Sequence, residues 1–107
     1  MVEYKDKQFV CLLDLGVEFI RGKWKAVIMC HLKGEPVRFL ELQRKTKGVT
    51  QKMLNEQLKS LEDDGLVIRK VYPEVPPRVE YSLSEKGRDL VEVLDGLESW
   101  AQKYFSE

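Results

Sequence analysis

The chain has 107 residues, with 18 Lys and Arg against 18 Asp and Glu and a formal net charge of zero. This length supports one domain and excludes a multidomain enzyme. With 43% hydrophobic and 34% charged residues, the composition excludes a disordered chain. The sequence has no apolar run of the roughly 20 residues that a transmembrane helix needs, and its N-terminus lacks a signal-peptide pattern. We therefore expect a cytoplasmic protein with no membrane partner, since two cysteines form no secreted disulfide framework.

The first third of the chain shows helical periodicity. Apolar residues at steps of three and four predict a first helix from about Phe9 to Ile20. A second helix is predicted to start near Lys23 and to end at Gly34, because glycine followed by Pro36 is a stop signal. A short third helix is predicted over residues 38–42.

The next helix carries the clearest local signals. Thr50 stands at the N-cap position, where its hydroxyl can accept a hydrogen bond from an unpaired amide of the first turn. Up to about Asp64 the apolar residues fall on one side, and Gly65 suits the left-handed residue that ends a helix. The buried side is predicted to consist of Leu54, Leu58 and Leu61.

Two strands and a long helix are predicted to complete the chain. Residues 66–72 and 78–83 are rich in β-branched and aromatic residues, and the proline-stiffened loop 73–77 joins them as a hairpin. Ser84 is predicted to cap the final helix. Its heptad-like apolar stripe consists of Leu90, Leu94, Leu97, Ala101 and Tyr104.

This order of elements predicts an α+β, mainly helical fold: a winged helix-turn-helix with a two-stranded wing and a long C-terminal dimerisation helix. We expect a single domain over residues 1–107. Residues 23–83 would form the helix-turn-helix and wing, and residues 1–22 and 84–107 the dimerisation helices. The residues expected at the dimer interface are Leu13, Val17, Leu90, Leu94, Leu97, Trp100, Ala101 and Tyr104.

Charge is separated along the neutral chain. Residues 38–59 contain six basic and two acidic residues, whereas residues 84–107 contain three basic and six acidic residues. Nucleic-acid binding depends on local Lys and Arg density, because each neutralised phosphate releases a counterion. The basic excess therefore indicates a DNA-binding surface on the helix-turn-helix.

Side chains on the polar side of the Thr50 helix suit base recognition. We expect Gln51, Lys52 and Asn55 to face bases, since Asn and Gln can bond bidentately to adenine. The other residues expected at DNA are Arg38, Lys45, Lys47, Thr50 and Lys59, with Arg78 in the wing. The alternatives are an ordinary solvated helix face, and an Arg78 that pairs with Glu74 or Glu80.

Several motifs resemble one family. They are Gly22-Lys23-Trp24, Arg38-Phe39-x-Glu41-Leu42, Lys52-Met53-Leu54, Leu58-x-x-Leu61, Asp64-Gly65-Leu66, the run Pro73–Leu83, Glu85-x-Gly87 and Trp100. The sequence resembles the HxlR-type bacterial transcriptional regulators, relatives of the MarR group. This resemblance implies a homodimer that binds palindromic double-stranded operator DNA as a repressor or an activator. The resemblance is also compatible with an unidentified small-molecule effector, since MarR relatives often bind one.

The resemblance further implies a redox role for an N-terminal cysteine. Cys11 lies at that position, although Leu12 replaces the proline that usually follows it. The apolar neighbours of Cys11 support the alternative of a buried, inert thiol. Cys30 is expected to pack in the second helix. Because Cys11, Cys30 and His31 form no metal-binding spacing, neither a metal nor another cofactor is expected.

The function predicted from these features is sequence-specific transcriptional regulation, and no enzymatic activity is expected. Two alternatives compete with it. One is a winged-helix module that binds another protein through its wing and apolar helices, without binding DNA. The other is a thiol-dependent enzyme centred on Cys11, which has little support because no catalytic partner accompanies that cysteine.

Overall fold

The structure, a computed structural model, describes residues 1–106. Along the chain the elements are β1 (Val2–Tyr4), β2 (Lys7–Phe9), α1 (Leu12–Glu18), α2 (Lys25–His31), β3 (Val37–Arg38), α3 (Phe39–Lys45), α4 (Gln51–Asp63), β4 (Val67–Tyr72), β5 (Arg78–Leu83) and α5 (Glu85–Phe105). This is the winged helix-turn-helix fold that the sequence predicts, with a long C-terminal helix. Within the described residues, no helix has the length and apolar character needed to cross a membrane.

The N-terminal segment differs from its prediction. Instead of one helix from Phe9, strands β1 and β2 form an antiparallel hairpin, and α1 begins only at Leu12. Lys5 and Asp6 make the turn with φ values of 49° and 63°, the left-handed conformation of a two-residue hairpin turn. Phe9, at the end of β2, is buried. The predicted helix therefore exists but begins at Leu12 and not at Phe9. The two strands before it were not predicted, because three residues are too few to show the alternation of a strand.

The wing is the hairpin of β4 and β5, and a third strand extends its sheet. β3 pairs with β5, so that the strand order is β3-β5-β4, and Val37 lies opposite Tyr81. The prediction of a two-stranded wing missed β3, which is only two residues long. This strand pairs with the middle of β5 and leads directly into α3, and Val75 in the tip of the wing is fully exposed.

The two predicted helix caps are confirmed. The Thr50 hydroxyl accepts a hydrogen bond from the Met53 amide at 3.1 Å, and the Ser84 hydroxyl accepts one from the Gly87 amide at 3.0 Å. Gly65, with φ of 74°, ends α4 as predicted. Each cap satisfies an amide that its helix leaves unpaired, which fixes the starting residue of α4 and of α5.

One core joins all the elements from α2 onwards. Leu54, Leu58 and Leu61 of α4 are at most 1% exposed, as predicted. They pack with buried residues from the other elements, namely Ile28, Met29, Leu32, Val37, Leu42, Val49, Leu66, Val67, Tyr81, Leu83, Val91 and Leu94. The core thus fixes α4 with its opposite side in solvent.

Leu94 requires a correction. The heptad-like stripe placed it at a dimer interface, but Leu94 is 5% exposed within its own chain and belongs to the core with Val91. Leu90 and Ala101 are half-buried, whereas Leu97, Trp100 and Tyr104 are exposed. The stripe changes role along α5, because its first half covers the core and its second half extends beyond it.

Candidate nucleic-acid interface

Helix α4 presents its polar side to solvent. Gln51, Lys52, Asn55 and Lys59 are exposed, and three buried leucines hold the opposite side of the helix. Thr50 is also exposed, but its hydroxyl serves as the cap. The amide and ammonium groups therefore lie together on the outward side of the first three turns, in the arrangement that the sequence predicts.

The segment between α3 and α4 adds further cations. Lys45 and Lys47 are exposed, and Thr46 and Val49 are buried next to them and hold the turn against the core. Gly48 has φ of 94°, a conformation that glycine adopts without strain. The two lysines thus lie at the end of α3 and in the turn that leads into α4.

Helix α3 contributes one further exposed cation and one paired cation. Arg38 is exposed at its N-cap position. Arg44 pairs with Glu41 through a 2.9 Å contact between Nη2 and Oε1, which offsets part of the basic excess counted in the sequence. Arg38, Lys45, Lys47, Lys52 and Lys59 remain as exposed basic residues of the helix-turn-helix.

Arg78 pairs with carboxylates of the wing, as the alternative to a DNA contact predicted. Its Nε lies 3.0 Å from an oxygen of Glu74, and its Nη1 lies 3.7 Å from an oxygen of Glu80. Its guanidinium carbon also lies 3.9 Å from the centre of the Tyr72 ring. Arg78 is therefore paired with two carboxylates of the wing in the absence of DNA.

Two other basic residues of the wing were missed in the sequence. Arg69 and Lys70 are exposed on β4. The Lys70 ammonium lies 4.8 Å from the centre of the Tyr72 ring and is not held by a carboxylate within 4.0 Å in the described residues. The signal in the sequence was a pair of adjacent basic residues in a predicted strand of the wing.

The two cysteines differ in exposure. Cys11 is exposed at the N-cap position of α1, so the expectation of a buried Cys11 is wrong. Its apolar neighbours in sequence do not cover it, because Val10, Leu12 and Leu13 all face solvent. Cys30 is half-buried, and this burial raises the pKa of its thiol. Within residues 1–106, no group of three His, Cys, Asp or Glu residues could hold a metal ion.

Large apolar side chains are exposed on α1 and on the end of α5. On the first helix and just before it they are Val10, Leu12, Leu13 and Val17. On α5 they are Val93, Leu97, Trp100, Tyr104 and Phe105. Trp100 packs against both Tyr104 and Phe105, with ring centres 5.7 and 5.9 Å apart. Groups of exposed large apolar side chains like these are typical of protein–protein interfaces.

An open groove of about 640 Å³ lies between the loop after α2, the back of the sheet and α5. Leu32, Ile68 and Val91 are among its apolar lining residues, and Arg88 and Asp95 are charged residues that line it. Asp95 accepts a hydrogen bond from Lys33 at 2.8 Å, which raises the pKa of that lysine. This ion pair ties the loop after α2 to α5 at the edge of the groove.

The arrangement of α3, turn, α4 and wing defines a winged helix-turn-helix protein. Comparison with known proteins identifies it further. Residues 19–107 match the family described as HxlR-like helix-turn-helix. A relative described as an HTH-type transcriptional regulator, from Methanothermobacter thermautotrophicus, is 46% identical over 101 residues, which cover 94% of this chain and 77% of the relative. The chain therefore belongs to the HxlR-like family of helix-turn-helix transcriptional regulators.

Solved structures agree with this assignment. A protein from Porphyromonas gingivalis W83, described as a transcriptional regulator of the MarR family, matches with a TM-score of 0.85 and 33% identity. The match covers 95% of this chain and all of that one. The redox regulator HypR in its oxidised form matches with a TM-score of 0.81 and 41% identity, over 87% of this chain and 96% of that one.

Proposed function

We propose that this chain is a cytoplasmic regulator that binds a palindromic double-stranded DNA operator as a homodimer. The observation that carries the proposal is the orientation of α4. Its three leucines are buried in the core, so that Gln51, Lys52 and Asn55 face outward at the N-terminal end of the helix. The N-terminal residues of a recognition helix are those that reach base edges in the major groove.

The charge around α4 supports duplex binding. Lys45, Lys47 and Lys59 are exposed on the same helix-turn-helix, where they can neutralise phosphates on either side of the groove. Arg38 adds a fourth cation near the base of the wing. The acidic residues of the C-terminal segment lie mostly on α5, so that they do not cancel the charge of this surface locally.

Dimerisation follows from the apolar surface and from the geometry of DNA. The exposed Leu13 and Val17 of α1, together with Leu97, Trp100 and Tyr104 of α5, need a partner to leave water. One recognition helix covers only a few base pairs, whereas a twofold dimer places two of them about one DNA turn, roughly 34 Å, apart. A second copy of the chain is therefore the partner that both arguments favour.

DNA binding is best tested with the purified chain and duplex fragments of its source genome. We expect a subset of fragments to be enriched, with a dissociation constant that rises steeply with KCl concentration because counterions are released. Light scattering on the same sample should give twice the mass of one chain. A protein–protein module without DNA binding would enrich no fragment at low salt, and that result would reject this function.

We also propose that Cys11 makes the regulator responsive to oxidants. The observation that favours this role is the exposure of Cys11, and the neighbour HypR is described as a redox regulator. Mass spectrometry after brief maleimide labelling at neutral pH should show Cys11 modified before Cys30. Burial raises the pKa of Cys30, which leaves less of it as the reactive thiolate.

The response itself is measured by DNA binding with and without peroxide, using Cys11→Ser as the variant and Cys30→Ser as its control. We expect peroxide to change the DNA affinity of the wild type and of Cys30→Ser, but not that of Cys11→Ser. Equal sensitivity of all three proteins would contradict the role of Cys11. Catalytic consumption of peroxide that depends on Cys11 would instead favour the thiol enzyme.

A further inference from the structure

The N-terminal hairpin contacts the C-terminal end of α4, opposite the end that we assign to base contacts. The Tyr4 hydroxyl donates a 2.9 Å hydrogen bond to Oδ1 of Asp64, and the Lys5 ammonium lies 3.2 Å from the same oxygen. Lys5 also donates a 2.9 Å hydrogen bond to the Asp63 carbonyl. The last carbonyls of a helix have no partner within it and carry partial negative charge, so an ammonium group stabilises them.

A second lysine reinforces this end of the helix. The Lys86 ammonium, from the first turn of α5, donates a 2.7 Å hydrogen bond to the Asp64 carbonyl. It also lies 5.2 Å from the centre of the Phe19 ring. The C-terminal end of α4 is thus held by side chains of two elements that lie far from it in sequence.

The same hairpin is joined to α1. Lys7 pairs with Glu18 through a 3.3 Å contact, which lowers the pKa of that carboxyl group. The Tyr4 ring packs against Phe19, the residue after α1, with ring centres 5.1 Å apart and an interplanar angle of 63°. Tyr4 therefore links the end of α1 to the end of α4, because its ring packs on Phe19 and its hydroxyl bonds to Asp64.

Helix α1 also carries part of the surface that we assign to the dimer. Leu13 and Val17 are exposed on it, five residues and one residue before Glu18. A continuous set of contacts thus runs from the proposed dimer interface through the hairpin to the end of α4.

We propose that the N-terminal hairpin is a positioning element for α4, in which Tyr4 and Lys5 fix the tilt of the helix relative to α1. Tyr4, Lys5 and Asp64 are its positioning residues. In a dimer built on α1 and α5, this tilt sets the distance and rotation between the two recognition helices. The hairpin therefore determines the spacing between the two halves of the operator. This inference rests on the proposed DNA binding by a homodimer.

The test compares duplexes that differ only in half-site spacing. A palindromic duplex is first selected from a random library with the wild-type protein, and a second duplex has one base pair inserted at its centre. The variant is Tyr4→Phe combined with Lys5→Gln, which removes the hydroxyl and the ammonium but keeps the ring on Phe19. We expect the ratio of the two affinities to fall about fivefold, at the lower end of the usual coupling between distant sites.

Three controls accompany this measurement. Glu3→Gln changes a charge on the outward side of the same strand and should keep the wild-type ratio, and Lys5→Arg should largely preserve it. Circular dichroism and light scattering should show the same fold and mass for all proteins. If the double variant does not fold, Lys5→Gln alone is measured in the same way.

The outcomes separate this inference from the proposed function. A variant that binds both duplexes more weakly by the same factor would show a general structural role and would overturn the inference. An unchanged ratio would overturn it too, while leaving DNA binding intact. If the wild type selects no duplex at all, DNA binding fails and the positioning role fails with it.

Discussion

The guanidinium carbon of Arg78 lies 3.9 Å from the centre of the Tyr72 ring, on the neighbouring strand of the wing. Tyr72 and Arg78 are directly opposite each other at the last rung of the hairpin. The cation thus packs on the ring and reaches Glu74 and Glu80 at the same time. The arginine that the sequence predicts as the DNA contact of the wing is thus already paired with two carboxylates in the structure.

The pairing of Arg78 with Glu74 predicts the effect of removing that carboxylate. We expect Glu74→Gln to strengthen binding to all duplexes alike, because it frees Arg78 for a phosphate. The slope of log affinity against log salt should become steeper by about one unit. Fluorescence anisotropy at several KCl concentrations measures both quantities. Glu92→Gln removes a comparable charge from the exposed surface of α5 and should have a smaller effect. An unchanged salt slope in Glu74→Gln would mean that Arg78 remains away from DNA.

Asn55 and Lys47 should affect binding in different ways. Asn55→Ala is expected to cost about 1–3 kcal/mol at the preferred sequence and to relax sequence preference, because an amide that reads a base is lost. Lys47→Ala is expected to weaken binding to every sequence and to lower the salt slope by about one unit. Lys103→Ala, on α5, is the matched control. The assignment of the α4 surface is wrong if both variants bind like the wild type.

The two parts of α5 should respond differently to substitution. We expect Trp100→Glu to convert a dimer to monomers with little change in the fold, because Trp100 is 56% exposed and lies beyond the core. Leu94→Ala should instead lower the free energy of unfolding by about 2–5 kcal/mol, because it leaves a cavity in the core. Light scattering and urea denaturation separate the two effects. A monomeric wild type would contradict the first expectation.

Replacing either of two glycines of α5 by alanine is expected to change the stability of the protein, in opposite directions. A Cβ atom at Gly87 would collide with the backbone carbonyl of Leu66, whereas one at Gly96 would meet no atom within 4 Å among the described residues. Gly87→Ala should therefore destabilise the protein by about 1–3 kcal/mol. Gly96→Ala should stabilise it by about 0.5–1 kcal/mol, since alanine loses less entropy in a helix. Thermal unfolding of the two variants provides the comparison, and shifts of the same sign would be inconsistent with this packing.

Much of the fold could be read from the sequence, because its signals are local. A capping hydroxyl at Thr50, a glycine at position 65 and leucines at helical spacing act within one or two turns. They predicted α4, its buried side and its exposed side. The N-terminal hairpin and β3 escaped prediction because their strands have only two or three residues, and only pairing with a partner strand stabilises them.

The sequence by itself determined the order of the main elements, the basic helix-turn-helix and the polar side of α4, since each depends on periodicity and composition. Only the tertiary structure decided which stripe residues of α5 are buried, that Cys11 is exposed and that Arg78 is neutralised. These outcomes depend on contacts between residues distant in the chain, or on how far a helix extends past its core. Residue spacing fixes the side of a helix on which a residue lies, but the packing of the whole chain decides what covers that side.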